Sequence, residues 1–185
     1  MTLEDFKNSI EQRTVGNQLV IFLYEDVSFV ADQYVREICK IKGQKIQYLE
    51  SIDSLATGVA DIFGTVAADD SIRVFRTKEV ESLPDNLKYE TDLYLIVNKV
   101  KNKETLSLYS EYIINIPKLE GWQIKDYMYS VAEGVDHKSL DWLISASGED
   151  IYRLENELDK LRLFSANEQK HLFNDMLHDG AFAAM

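Results

Sequence analysis

Gln18-Leu19-Val20-Ile21-Phe22-Leu23-Tyr24 runs apolar without interruption from Leu19, is too short for a helix and is rich in β-formers. A strand of that kind has no polar face to turn to water, so the run predicts a strand buried on both faces, with helices above and below it. Working outward, Thr2 and Asp5 have the spacing of a capping box, and Phe6 and Ile10 then share one face of a short helix. On the other side, Val30, Ala31, Tyr34, Ile38 and Ile41 recur at helical spacing from Ser28 to Lys40, and Gly43 is placed to stop that helix.

A second strand is expected at Lys45 to Leu49. Ile52, Leu55, Val59 and Ile62 then mark an amphipathic helix over Ser51 to Phe63 that ends at Gly64. Strands follow at Ser71–Arg76, Asp92–Val97 and Tyr112–Ile116, with a short helix, Lys103 to Ser110, between the last two. Strand and helix alternating over short connections is the pattern of a parallel sheet covered by helices. Pro117 ends the alternation. Beyond it Trp122–Ala132, His137–Ala146, Asp150–Phe164 and Asn167–His178 all carry the helical period. In the third of these Ile151, Leu154, Leu158 and Leu161 share a face, leaving Asp150, Glu155 and Glu157 to water. The sequence therefore predicts an α/β domain over 1–118 and a small all-helical domain over 119–185.

The chain has 185 residues, and 20 Lys+Arg against 32 Asp+Glu leave a net charge of −12. A surface so acidic repels phosphate, which argues against unaided binding to nucleic acid or to anionic membrane. With 45% hydrophobic residues the chain buries a core and is not a disordered acidic tail. The single cysteine, Cys39, excludes an internal disulfide and the thiolate-rich zinc sites, which fits a reducing, cytoplasmic setting. Thr2-Leu3-Glu4-Asp5 has neither the positive start nor the apolar stretch of a signal peptide, and no apolar run reaches the roughly 18 residues of a membrane span.

An α/β domain followed by a small helical bundle is the layout of ATPases of the AAA+ class, so nucleotide machinery is the first chemistry to look for. The first strand should lead into a glycine-rich loop with Lys-Ser/Thr, because backbone amides and a lysine must cradle the phosphates. Here Leu23-Tyr24-Glu25-Asp26-Val27-Ser28-Phe29 stands in that position, without glycine or lysine and with two carboxylates. Strand Ile72–Arg76 runs on into Thr77-Lys78 without the aspartate that would hold magnesium. No bound nucleotide, metal or other cofactor is expected. Asn98 and Arg153 sit where AAA+ sensors sit, yet have no phosphate cradle beside them. Cys39 reads as a packing residue of its helix. His171, Asp175 and His178 share a helix face but lack a further ligand for a closed metal site. Asp69-Asp70 reads as ordinary turn chemistry.

The helix ending in Ile62-Phe63-Gly64 says more. With Ile52, Leu55, Val59 and Ile62 toward the sheet, Phe63 is rotated by ~100° from Ile62 and projects from the helix end. An apolar pair delivered there suits insertion into a partner's hydrophobic pocket. The alternative is that Phe63 folds back onto Val66 as a cap on the core.

Ser147-Gly148-Glu149-Asp150-Ile151-Tyr152-Arg153-Leu154-Glu155-Asn156-Glu157-Leu158-Asp159-Lys160-Leu161 resembles the lid-domain run of the delta subunit of bacterial DNA polymerase III. Ile116-Pro117-Lys118-Leu119 with Trp122 is similar to that family's link into the lid. Asp61-Ile62-Phe63-Gly64, then Asp70-Ser71-Ile72-Arg73-Val74-Phe75, resembles its clamp-contact helix and the strand after it, and Tyr24-Glu25-Asp26 fits its degenerate first loop. The likeness implies a RecA-like, AAA+-like domain that has lost ATP binding, followed by a lid. It also implies a wrench subunit whose exposed apolar pair wedges into the sliding clamp and helps to open it for loading at primed DNA. Carried over by position, the pair is Ile62 and Phe63, with Val59, Ala60 and Asp61 beside it; Gly58 stands where a glutamine is often found, and Asp61 replaces a small polar residue.

On this likeness the chain is an accessory subunit of a polymerase holoenzyme and not itself an enzyme. Its partners are the sliding clamp and, through a third collar domain, the other loader subunits, with DNA met only inside the assembly. The chain stops about where that collar would begin, so it reads as a fragment of a longer protein in preference to a divergent short form. The competing reading is an adaptor on a degenerate AAA+ fold that binds a different protein.

Overall fold

The computed structural model describes residues 1–52, 71–164 and 168. The chain divides into two compact units, Met1–Lys118 and Leu119–Met185. The first is α/β, with strands β1 (Leu19–Tyr24), β2 (Lys45–Leu49), β3 (Ser71–Val80), β4 (Leu93–Val100) and β5 (Ile113–Ile116). They form one parallel sheet in the order β2-β3-β4-β1-β5. Its described helices are α1 (Leu3–Glu11), α2 (Phe29–Lys42) and α3 (Lys103–Leu108), with 3₁₀ turns at Asp85–Tyr89 and Ser110–Tyr112.

β1 lies between β4 and β5, which is why its sequence has no polar face. On one side of the sheet Val20, Phe22, Tyr94 and Ile96 meet Phe6 of α1 and Ala31, Val35 and Ile38 of α2. The Phe6 ring stands edge-on to Phe22 and Tyr34 at 5.5 and 5.6 Å. Burying a side chain such as Phe6 completely is worth about 1.5–3 kcal/mol of transfer free energy. On the other side Leu19, Ile21, Leu93, Leu95 and Val97 pack with Leu83, Leu87 and Tyr109. The capping box of α1 forms as its spacing predicts, Asp5 N donating to Thr2 Oγ1 and Thr2 N to Asp5 Oδ2. α2 ends at Gly43 with φ +68°, a conformation that glycine adopts without strain.

One strand runs further than expected. β3 does not stop at Arg76 but continues to Val80, because Thr77, Glu79 and Val80 pair with Val97, Lys99 and Val100 of β4. Between β3 and β4, Leu83 and Leu87 sit in the core on either side of the start of a 3₁₀ turn. The helix expected over Ser51–Phe63 lies outside the described residues beyond Ile52, as does the one over Asn167–His178 apart from Glu168.

The described part of the second unit is three helices, α4 (Gly121–Val131), α5 (His137–Ser147) and α6 (Ile151–Arg162). Ile124 and Met128, Leu140 and Leu143, and Ile151, Leu154 and Leu158 are among its buried positions. Asp136 and Asp150 cap α5 and α6. Asp150 is exposed, as expected, and accepts from Arg153 N at 3.0 Å; Glu157 is partly exposed and pairs with Lys160, while Glu155 is half-buried and accepts from the Tyr127 hydroxyl at 2.6 Å. No helix among the described residues is long and apolar enough to cross a membrane.

Candidate functional site

Open parallel sheets bind ligands beyond the carboxyl ends of their strands, where successive connections leave in opposite directions. β1 is that point here. The chain leaving it goes to β2 at one edge, while the chain leaving β4 passes over β1 to β5 at the other. An open depression of about 430 Å³ lies there, lined by Leu23, Tyr24, Glu25, Asn98, Lys99 and Asn115.

The short loop from β1 to α2 forms one wall of this corner and is held by protein groups. Asn98 Nδ2, at the carboxyl end of β4, donates to Tyr24 O at 2.7 Å and to Glu25 O at 3.0 Å. Glu25 N donates to Ile116 O at 3.1 Å, and Glu25 Oε2 accepts from Lys118 N at 3.2 Å. The loop is thereby tied to the ends of β4 and β5.

A second set of contacts lies at the start of α2. Ser28 Oγ donates to Asp32 Oδ2 at 3.0 Å, and the Arg76 guanidinium, from β3, pairs with Asp32 Oδ1. The Asp32 side chain is 7% exposed and that of Arg76 43%. A carboxylate in the first turn of a helix is favoured by the helix dipole, and the arginine adds a charge-assisted bond. Tyr24 adjoins this pair. Burial pushes its hydroxyl pKa up, the Arg76 charge opposes that, and the Asp32 charge adds to it.

Chemically, the corner offers carbonyls already occupied by Asn98, the Glu25 carboxylate already engaged by the Lys118 N–H, and Lys99 in its lining. It has no glycine-lined run of amides to approach a phosphate. Asn98, expected at a sensor position, uses its amide nitrogen on the loop. Arg153 belongs to the other compact unit, is exposed, and donates its backbone N–H to Asp150.

Val59, Ala60, Asp61, Ile62 and Phe63, the residues expected to meet a clamp, lie outside the described residues, as do Gly58, Val66, Asp69, Asp70, His171, Asp175 and His178. Among the described residues no group of three or more His, Cys, Asp or Glu is arranged to hold a metal. Cys39 is half-buried on α2, where burial pushes its thiol pKa up and Lys42 opposes that.

Sequence reasoning missed the Asp32–Arg76 pair, although one signal was available. Asp32 falls on the core-facing stripe that continues through Val35 and Ile38. A carboxylate on such a stripe needs a partner, and the partner is 44 residues away. No protein-family model matches the chain, and no curated protein sequence is significantly similar to it.

Proposed function

We propose that this chain is a clamp-loader subunit of the delta type, which binds the DNA sliding clamp and helps to open it for loading at primed DNA without binding ATP itself. The observation that carries the reading is the run Gly148-Glu149-Asp150-Ile151-Tyr152-Arg153-Leu154-Glu155-Asn156-Glu157-Leu158, which resembles the family's lid. It is preceded in the right order by Tyr24-Glu25-Asp26, Asp61-Ile62-Phe63-Gly64 and Ile116-Pro117-Lys118-Leu119. Two features of the fold support it. A five-stranded parallel sheet in the order β2-β3-β4-β1-β5 is compatible with a RecA-like domain, the AAA+ kind included. The loop after β1 has its Tyr24 and Glu25 carbonyls held by Asn98 and its Glu25 N–H given to Ile116 O, where a nucleotide-binding relative would need open amides.

On this reading Ile62 and Phe63 enter the clamp's hydrophobic pocket, flanked by Val59, Ala60 and Asp61. Burying the pair supplies roughly 3–6 kcal/mol of gross transfer free energy before the costs of association. Opening follows from preference: a ligand shifts a two-state equilibrium by its difference in affinity for the two states, so the subunit acts by binding the opened clamp more tightly. The other loader subunits and DNA are met within the assembly, in the cytoplasm.

The test is surface plasmon resonance of the chain on the sliding clamp of the same organism, beside the double substitution Ile62→Ala, Phe63→Ala. Binding is expected, with loss of at least tenfold in the double variant while its circular dichroism is unchanged, since each truncated anchor removes on the order of 1–2 kcal/mol or more. No binding by the unaltered chain at high micromolar concentration would sink the clamp reading and leave an adaptor for a different protein partner.

A further inference from the structure

The contacts of Glu25 differ from those of an ordinary loop residue. Its N–H is held by Ile116 O, its carbonyl by Asn98 Nδ2, and its carboxylate by the N–H of Lys118. Lys118 is the last residue of the first compact unit, and Leu119 begins the second. Pro117, which has no N–H, separates Lys118 from the last residue of β5. The Lys118 N–H is therefore the first backbone donor after the sheet, and a side chain receives it.

We infer that Glu25 and Asn98 form a clasp that fixes the course of the chain where it leaves the sheet, and so holds the Lys118–Leu119 peptide bond against the local opening that proteases require. Asn98 acts at one remove: its two bonds, at 2.7 and 3.0 Å, hold the Tyr24 and Glu25 carbonyls and so aim the Glu25 carboxylate at Lys118. The clasp is a conformational device at the end of the first unit, set by residues 93 positions apart. It rests on geometry alone and not on the clamp-loading reading, so either can fail without the other.

Lys118 is exposed and is followed by leucine, so trypsin can report on this bond. Lys40, on the outer face of α2, gives an internal measure of general loosening. Limited trypsin digestion of the full chain is expected to cut after Lys118 about tenfold faster in Glu25→Ala and in Asn98→Ala than in the unaltered chain, the factor corresponding to one ordinary hydrogen bond to a charged group. Cutting after Lys40 stays unchanged, and Asp26→Ala, next to the clasp but outside it, behaves as the unaltered chain. Acceleration in neither variant or in only one, or equal acceleration after Lys40, overturns the inference. Amide hydrogen exchange on the unaltered chain is an independent check that needs no variant. The Lys118 amide is expected to be protected, and exchange at the unprotected rate overturns the clasp.

Discussion

Among the described residues Asp32 is the one charged side chain that the fold buries. Its partner is only half covered, and that asymmetry decides what each substitution costs. Arg76→Ala leaves a buried carboxylate without this counter-charge, at a cost of about 2–4 kcal/mol. Asp32→Asn leaves a guanidinium that already reaches water, and the new amide still accepts from Ser28, so about 1 kcal/mol or less is lost. Urea unfolding of the two variants is expected to rank Arg76→Ala as clearly the less stable; equal midpoints, or the reverse order, would contradict the burial argument. The same pair marks a limit of local reading. Asp32 on a core-facing stripe is legible as an anomaly, but neither residue names the other. The Asn98 bonds to Tyr24 and Glu25 are equally hidden, since they join the end of one strand to the end of another 73 or 74 residues away.

At the scale of elements, two glycines of the second unit call for opposite predictions. Gly121 opens α4 without a positive φ, and an added Cβ would meet only the tip of the Glu149 side chain at 3.0 Å, which can turn aside. Gly121→Ala is expected to raise stability by about 0.5–1 kcal/mol, because alanine loses less backbone freedom on entering the helix. Gly148 closes α5 at φ 66° and ψ −146°, a conformation nearly closed to residues with a Cβ. Gly148→Ala meets no neighbour within 4 Å and still costs about 1–3 kcal/mol, as strain alone. Thermal unfolding read by circular dichroism should move in opposite directions for the two. Local signals of this kind are what made the elements legible: the capping box of Thr2 and Asp5, the stop at Gly43, the apolar run of β1. What the sequence hid is pairing at a distance. Thr77-Lys78-Glu79 is polar enough to read as loop, and becomes strand because β4 supplies its backbone partners. Leu83 and Leu87 carry no strand period and are too few for a helix, so their burial is set by the sheet above them. The expectation of an apolar pair at Ile62 and Phe63 rests on spacing and the family resemblance alone, and lies outside the described residues.

Across the whole molecule, ionisation sets the limits of stability on both sides. Hydrogen bonds from Thr2 hold the Asp5 carboxyl below its usual range, and the Tyr129 hydroxyl, aided by Lys125, does the same for Asp141. A lowered native pKa gives stability that is present above the unfolded value, near 4, and is lost as pH falls through the native one. On the alkaline side the sheet unit carries the effect. Burial pushes the Tyr34 hydroxyl up to about 12 and raises Tyr94, which is fully buried with its oxygen unbonded, in the same direction. Here the native state holds the proton that the unfolded chain releases near pH 10, so stability is complete below about 10 and falls as pH rises toward the native values. Repulsion within a chain of net charge −12 grows over the same range, and the two causes must be separated. Tyr34→Phe does so. Phenylalanine keeps the ring against Phe6 and Phe22 and cannot ionise, while the rest of the charge is unchanged. Relative to the unaltered chain, its urea midpoint is expected to fall less steeply between about pH 10 and 12, with no such difference near pH 7. Parallel midpoints across that range would show that the Tyr34 hydroxyl does not carry the alkaline loss.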